Sequence, residues 1–422
     1  MIQEQVVLVW ASTDRVDSLA EKYIMDELEG LVDSAGGVVV SRFVQVKTGI
    51  DPRWVVGQGK LEEIRQYLTE KSADLIVFHN TLTGSQQRNI EEYLGTRVID
   101  RTRLILDVFA LRARSQEGKL QVELAQLLYM MPRLTGKGIT LSRLGGGIGT
   151  RGPGETKLEA DRRIIKKKIH YLQNKLDSVS KVRQIHRLRR KNSIVPMIAL
   201  VGYTSAGKST LFSRLCEAET EISPKLFSTL DPLIRRFDLG IRLPGCHALV
   251  SDTVGFIREM PKEVKSAFKA TLEEITEADV ILVVLDISHP DHLQHRLAVT
   301  ELLDEIRTSE QKVWFAYNKI DLLPDCMAVP QDGYRISALT GEGIAEFRDA
   351  FFEFWMSNKQ RYLLKMDKSG QKFAEKIDEW TMVLRKWYQG QYLHVDLVAD
   401  PELMNAFVRK TGVMAEALSD KT

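Results

Sequence analysis

Val195-Pro196-Met197-Ile198-Ala199-Leu200-Val201, followed at once by Gly202-Tyr203-Thr204-Ser205-Ala206-Gly207-Lys208-Ser209-Thr210, is the stretch on which the fold turns. An apolar run ends in the pattern G-x-x-x-x-G-K-S and passes through Thr210-Leu211-Phe212 into a helix start. The pattern requires that order of strand, loop and helix. Its glycines let successive backbone N–H groups converge on phosphate oxygens, and the helix N-terminus adds its positive end. Lys208 is expected to neutralise the β- and γ-phosphates, and the Ser209 hydroxyl to ligate Mg²⁺. A chance glycine-rich turn is the bland alternative, and the segments further along decide against it.

Asp252-Thr253-Val254-Gly255 follows the apolar strand Ala248-Leu249-Val250. A carboxylate at that strand end holds Mg²⁺, usually through water, and the Gly255 amide lies where a γ-phosphate is sensed. Asn318-Lys319-Ile320-Asp321 follows a second apolar strand, Val313–Ala316. The Asp321 carboxylate can accept from both the N1–H and the exocyclic amine of guanine, a donor pair adenine lacks. An unsatisfied carboxylate is costly, so Asp321 should select GTP over ATP. Ser337-Ala338-Leu339, after the strand Tyr334–Ile336, places a backbone amide near guanine O6. Four segments in this order make a P-loop G domain of alternating strands and helices, spanning about 193–357. Phe256 stands where many switch GTPases place a water-orienting Gln, and its ring can neither orient nor deprotonate water. Slow hydrolysis in isolation, completed by a docked partner, is the expectation; the alternative is that Phe256 only packs.

Working outward, residues 1–100 alternate strand-like runs (Val6–Val9, Val38–Val46, Leu75–Phe78) with helix-like ones (Arg15–Val32, Lys60–Leu68, Ser85–Leu94). That alternation predicts a small parallel sheet with helices, an N-terminal α/β subdomain. Residues 101–192 carry apolar stripes at helical spacing: Leu104, Val108, Leu111, Leu120, Leu124, Leu127 and Met131, then Ile165 through Ile185. Two such seams predict a long antiparallel helical hairpin with arms of about thirty residues, each roughly 45 Å long. Beyond 357, Tyr392–Val398 reads as a strand and Pro401–Lys410 as a helix, so 358–422 is a small C-terminal α+β domain. Its Trp380 and Trp387 read as core residues rather than a base-stacking platform.

The loop at 136–154 lies in a stretch, from Thr135 to Gly154, with eight glycines, the cations Lys137, Arg143 and Arg151, and no acid. Beyond it come Lys157 and then, from Arg162 and Arg163 to Lys191, twelve cations against the single Asp177. A charged helix is ordinarily just a solvated face. This excess is one-sided and adjoins a glycine-rich tip, which suits RNA phosphates and recognition by shape rather than by base.

The bulk numbers exclude more than they assert. At 422 residues, 44% hydrophobic and 27% charged, the chain can fill several cores, and a net charge of +2 selects no partner. Cys216, Cys246 and Cys326 are too few and too scattered for a disulfide framework or zinc ribbon. No apolar run is long enough to span a bilayer, and the first residues lack a secretion signal, so a cytoplasmic monomer without membrane contact is expected. His289, His292 and His295 read as a polar helix face rather than a zinc site. Gly57-Gln58-Gly59-Lys60 is too short for a second phosphate loop.

Arg143-Leu144-Gly145-Gly146-Gly147-Ile148-Gly149-Thr150-Arg151-Gly152-Pro153-Gly154-Glu155-Thr156-Lys157 resembles the glycine-rich signature of the HflX family of ribosome-associated GTPases. Trp54-Val55-Val56-Gly57-Gln58-Gly59-Lys60 is similar to that family's N-terminal motif, and Phe227-Ser228-Thr229-Leu230-Asp231-Pro232 to its first switch. The resemblance covers essentially the whole chain. It implies GTP and GDP as ligands, Thr229 as a switch residue reaching Mg²⁺ and γ-phosphate, and the large (50S) ribosomal subunit with its rRNA as partner. It also implies the separation or rescue of stalled or stress-inactivated ribosomes. Ser205 replaces the Asn that helps hold a catalytic potassium ion in related GTPases, so K⁺ dependence does not carry over. Leu233-Ile234 replaces the usual pair of threonines after the first switch. Two rivals stay open: a factor using GTP occupancy only as a checkpoint, and an ATP-driven RNA remodeller working through the N-terminal domain.

Overall fold

Val6–Ala11 is apolar at every position, the pattern of a strand covered on both faces, and it lies inside the first sheet. The computed structural model describes residues 3–13, 18–134, 157–191, 195–217, 226–227, 233–240, 243–253, 255–257, 261–267, 275–306, 311–324, 329–378 and 380–418. They divide into two compact units. The first takes residues 1–179 together with 223–231 and 259–269, and the second takes the rest.

In the first unit, β1 (Gln5–Ser12), β2 (Val38–Val46), β3 (Leu75–Phe78) and β4 (Arg97–Asp100) form a sheet in the order β2-β1-β3-β4. Every pairing is parallel, as the alternation predicted. The intervening helices are α1 (Ser18–Ala35), α2 (Gln58–Glu70) and α3 (Gly84–Leu94). A capping box of Thr83 and Gln86 starts α3, and Gly95 ends it in the left-handed conformation, φ 69°.

Helix α4 (Arg101–Arg112) follows β4, then α5 (Gln116–Met130) and the long α6 (Lys157–Lys191). Leu124, Ile169 and Leu172 form the hairpin's buried seam, flanked by Leu120, Leu127, Met131, Ile165 and Leu176. The first arm is shorter than thirty residues. Ser115 caps α5, its Oγ accepting from Gly118 N at 2.8 Å, so the helix breaks at 113–115. Leu104 and Val108 are therefore buried in α4, which packs on α1 and the sheet, and Leu111 is exposed.

Asp100 fastens the root of the hairpin. Fully buried, it accepts from Tyr129 Oη (2.9 Å), Arg133 Nη2 (2.8 Å), Leu82 N (3.0 Å) and Arg103 N (2.9 Å). Burial and the neighbouring Asp100 charge raise the Tyr129 phenol well above its ordinary range. Arg133→Ala would leave this carboxylate buried without its cation, at a cost of about 3–5 kcal/mol. Hydrogen exchange should show the amides of β4 and 131–134 opening correspondingly more often; unchanged protection would refute the fastening role.

Two segments from within 193–357 fold into this first unit. Phe227, buried with φ 56°, meets Phe109 of α4 edge-on at 4.6 Å. Helix α8 (Lys262–Ala267) packs on α5.

The second unit holds a six-stranded sheet ordered β10-β9-β8-β5-β7-β6. Its strands are β5 (Met197–Gly202), β6 (Leu233–Asp238), β7 (His247–Asp252), β8 (Val280–Asp286), β9 (Lys312–Asn318) and β10 (Tyr334–Arg335). All pair in parallel except β6, which runs antiparallel to β7. Helix α7 (Lys208–Cys216) and α10 (Ile344–Met356) bury Leu211, Phe212, Phe347 and Phe351 with one side of the sheet. Helix α9 (His292–Ile306) packs against β5 and β8.

The tail is a four-stranded antiparallel sheet of β11 (Gln360–Met366), β12 (Met382–Gln389), β13 (Tyr392–Ala399) and β14 (Met414–Leu418), ordered β12-β13-β11-β14. Helix α11 (Pro401–Thr411) contributes Met404 to its core. Trp380 packs there against Phe407, ring centres 5.4 Å apart. Trp387 does not: it pairs in register with His394 on the opposite face, correcting the expectation that both tryptophans are core.

Candidate functional site

Parallel α/β sheets open their crevice at the carboxyl ends of the strands, and all four predicted segments sit there. Gly202 ends β5, Asp252 ends β7, Asn318 ends β9, and Ser337 follows β10. Only glycine fits at the end of β5, because a Cβ on Gly202 would run into Val284 O of β8. Ser205 and Gly207 take left-handed conformations, φ 61° and 92°, and a Cβ on Gly207 would collide with the Asn318 amide. The loop then enters α7, with Lys208 as its first residue and Ser209 and Thr210 next.

Inside the loop, the buried Lys208 Nζ donates to Tyr203 O at 2.8 Å. Burial lowers its pKa to about 8, while the Asp252 charge pulls the other way. A triphosphate held by this loop would supply the counter-charge that favours the ammonium form. Ser209 Oγ donates to Asp252 Oδ2 at 2.9 Å, so a hydroxyl from the first turn of α7 and a carboxylate from the end of β7 meet at one point. Two hard oxygen donors this close suit Mg²⁺. Gly255 lies over the loop, where an added Cβ would come within 3.1 Å of Lys208 Nζ and 2.8 Å of the Thr204 methyl. Thr253 Oγ1 donates to Leu200 O at 2.6 Å, tying the end of β7 to β5. Phe256 N donates to Gly202 O (3.0 Å) and Thr204 N to Phe256 O (2.7 Å). The Phe256 ring itself is buried, packed beside the loop.

Asn318 joins two motifs. Its Nδ2 donates to Ala206 O and its Oδ1 accepts from Ala338 N, both at 2.8 Å. The Ala338 amide, expected near guanine O6, is thus engaged by Asn318 in this structure. Ser337 is fully buried and its Oγ accepts from Thr340 N at 3.1 Å, while Leu339 stays exposed. Lys319 turns left-handed (φ 68°) and its Nζ pairs with Asp286 Oδ2 at 2.6 Å. That leaves Asp321, in the short turn Ile320–Leu322, exposed at the mouth of the crevice.

Sequence reasoning missed Asp286, whose other oxygen accepts from Ser288 Oγ at 2.6 Å, and Arg214, which donates to Ala338 O and Leu339 O. His295, read from the sequence as part of a polar helix face, has its ring stacked on Tyr203 at 3.9 Å and 9° and beside His289 at 4.6 Å. An acid at a strand end was a usable signal for Asp286. The spacing of His289, His292 and His295 marked the helix face but not the stacking on Tyr203, which depends on how the helix packs against β5. Ser228, Thr229, Leu230, Asp231 and Val254 lie outside the described residues, as do the tip 136–154 and its Lys137, Arg143 and Arg151. Lys157 begins α6, while Arg162 and Arg163 line a shallow groove on it with Glu159, Lys166, Lys167 and His170.

Family models match in chain order. One described as the N-terminal region of a GTP-binding GTPase covers residues 22–110, its middle region 112–190, and a 50S ribosome-binding GTPase 197–319. GTPase HflX of Lacrimispora saccharolytica is 43% identical over 413 residues, 96% of this chain and 94% of that protein. Its counterpart from Caldanaerobacter subterraneus is 47% identical over 73% of this chain and 71% of its own length. The Escherichia coli protein is 38% identical over 86% and 87%. With the N-terminal, middle and GTPase regions matched in that order and relatives 38–47% identical over most of the chain, the chain belongs to the HflX family of GTPases.

Proposed function

We propose that this GTPase binds GTP and GDP in the crevice just described and works on the large (50S) ribosomal subunit, dissociating or rescuing stalled or stress-inactivated ribosomes. The observation that carries the reading is the pairing of a switch-type pocket, clamped by Asn318 and closed by Ser209 and Asp252, with a basic helix that begins beside a glycine-rich loop. Residues 202–210 hold the phosphates, Asp321 reads the base, and Ser209, Asp252 and Thr229 hold Mg²⁺, which neutralises charge on the transferring phosphate. Residues 227–231 and 252–255 respond to the γ-phosphate. Chain boundaries near 100, 192 and 357 separate sheet, hairpin, G domain and tail, and the protein acts as a cytoplasmic monomer.

Lys137, Arg143, Arg151, Lys157, Arg162 and Arg163 contact rRNA phosphates. Replacing Arg143 and Arg151 by Ala together should weaken 50S binding and flatten the log–log salt dependence by about 2, one for each lost phosphate contact. Filter binding across a salt series tests this, and an unchanged slope would remove the tip from the interface. For the whole proposal the test is sedimentation of 70S ribosomes with the protein and GTP, GDP or a non-hydrolysable analogue. Subunits should separate with GTP and with the analogue. If 70S particles persist in every nucleotide, the ribosomal role fails.

A further inference from the structure

Strand register decides what the outer face of the C-terminal sheet presents. Trp387 lies opposite His394, His394 opposite Lys365, and Lys365 opposite Met414. One step along the strands, Arg385, Asp396, Leu363 and Glu416 form the next row, and Gln389 faces Tyr392 on the other side. Directly paired residues share a face, so these rows lie opposite the core of Leu364, Met366, Leu393, Val395 and Leu397.

The face is ringed with aromatics and cations. The Trp387 and His394 rings stack 5.4 Å apart at 15°. The Arg385 guanidinium lies 5.2 Å from the Trp387 ring centre, and Lys365 Nζ 4.4 Å from that of Tyr392. Lys365, Arg385 and Met414 are exposed, and the three rings are half-buried. Of the two acids, Asp396 is neutralised by a bidentate pair with Arg361 (2.9 and 2.6 Å), which leaves Glu416 three strands away from the indole. Two open cations against one distant acid favour an anionic partner.

We infer that this face is a binding platform for unstacked bases of single-stranded RNA, with Trp387 and His394 as the stacking rings and Arg385 and Lys365 as phosphate contacts. Flat aromatic surfaces accept any base, and flanking cations follow the backbone, the combination by which sheets hold single strands. A guanidinium already lying on an indole can stack on a base just as well. Duplex RNA offers no free base faces and has no use for the rings. The proposed function gives these residues no part, so this inference goes beyond it.

The test measures the anisotropy of a short fluorescein-labelled oligouridylate, and of a matched RNA duplex, against the full chain. Trp387→Ala should raise the single-strand Kd about tenfold, the loss of one stacked base. Trp387→Phe, which keeps a ring, should stay within about threefold of the parent, and duplex affinity should barely change. Thermal melts of each variant exclude unfolding, and Arg385→Ala gives a second reading without touching the rings. An unchanged single-strand Kd in both alanine variants overturns the platform. Equal weakening for single strand and duplex overturns it too, since backbone charge alone would then explain the binding. Arg162→Ala with Arg163→Ala separates the two claims: if that pair weakens both RNAs while Trp387→Ala does nothing, the ribosomal reading stands and the platform falls.

Discussion

Replacing Asp321 by Asn should cut GTP affinity on the order of 10³-fold and create affinity for xanthosine triphosphate that the parent lacks. The carboxylate offers two acceptors, matching the two donors on the Watson–Crick edge of guanine. Asparagine offers one acceptor and one donor, so its amide meets the guanine amine donor to donor. Each charge-assisted bond contributes about 1.5–3 kcal/mol, and a site built for such bonds rejects a base that leaves them unmade. Xanthine carries a carbonyl where guanine carries the amine, and it restores the match. The geometry supports a clean experiment. Asp321 is exposed, and its turn is set by neighbours: the left-handed Lys319 paired with Asp286, and Asn318 bonded to Ala206 and Ala338. Calorimetry with GTP, ATP and xanthosine triphosphate reads the outcome. GTP binding within a few-fold of the parent, with no gain for xanthosine triphosphate, would mean that the base is read elsewhere. Parent affinities equal for ATP and GTP would sink the guanine reading outright.

The nucleotide crevice was legible because its chemistry is written in contiguous residues. Backbone amides, one lysine and one hydroxyl have to follow each other along the loop after β5, and Asp252 at the end of β7 and Asn318–Asp321 after β9 are short segments behind apolar strands. The cross-connections were not legible. That Asn318 bonds to Ala206 and Ala338 depends on strand order β9-β8-β5, which no local pattern carries. The hairpin was half legible. Apolar spacing located α5 and α6 but ran straight through 113–115, because a Ser N-cap ends one helix and starts another without disturbing the rhythm. Ser115-Gln116-Glu117, a capping residue followed by an acid in the first turn, was the available signal. The C-terminal sheet was least legible. Three of its four strands went unread; in β11, for example, Leu363 interrupts the alternation of Tyr362, Leu364 and Met366 with polar residues, and the strand has only seven positions. Trp387 was assigned to the core on hydrophobicity alone, although register, not hydrophobicity, decides which face a strand residue takes.

Purified 50S subunits are expected to raise the GTP hydrolysis rate by about 10³- to 10⁵-fold over the protein alone, the range seen when a partner completes a phosphoryl-transfer site. The described crevice has a lysine for the phosphates and oxygens for the metal, and the Gly255 amide lies close above Lys208. Beside Gly255 stands Phe256, buried and fixed through its own backbone to Gly202 and Thr204. An apolar ring at that point cannot accept a proton or align a water molecule. Positioning the nucleophile therefore falls to residues 228–231 or to a group supplied from outside. The segment ahead of them is anchored, since Phe227 is buried against Phe109 within the first unit. Docking of the first unit on rRNA is thus able to set the conformation of the residues that follow Phe227. Two measurements separate the sources. Phe256→Ala should leave the stimulated rate within a few-fold of the parent, because the ring does no chemistry. Phe227→Ala should lower the stimulation while leaving GTP affinity nearly intact, because it loosens the segment rather than the pocket. Fast turnover without ribosomes would place the catalytic group within the chain and would end the argument for completion by a partner.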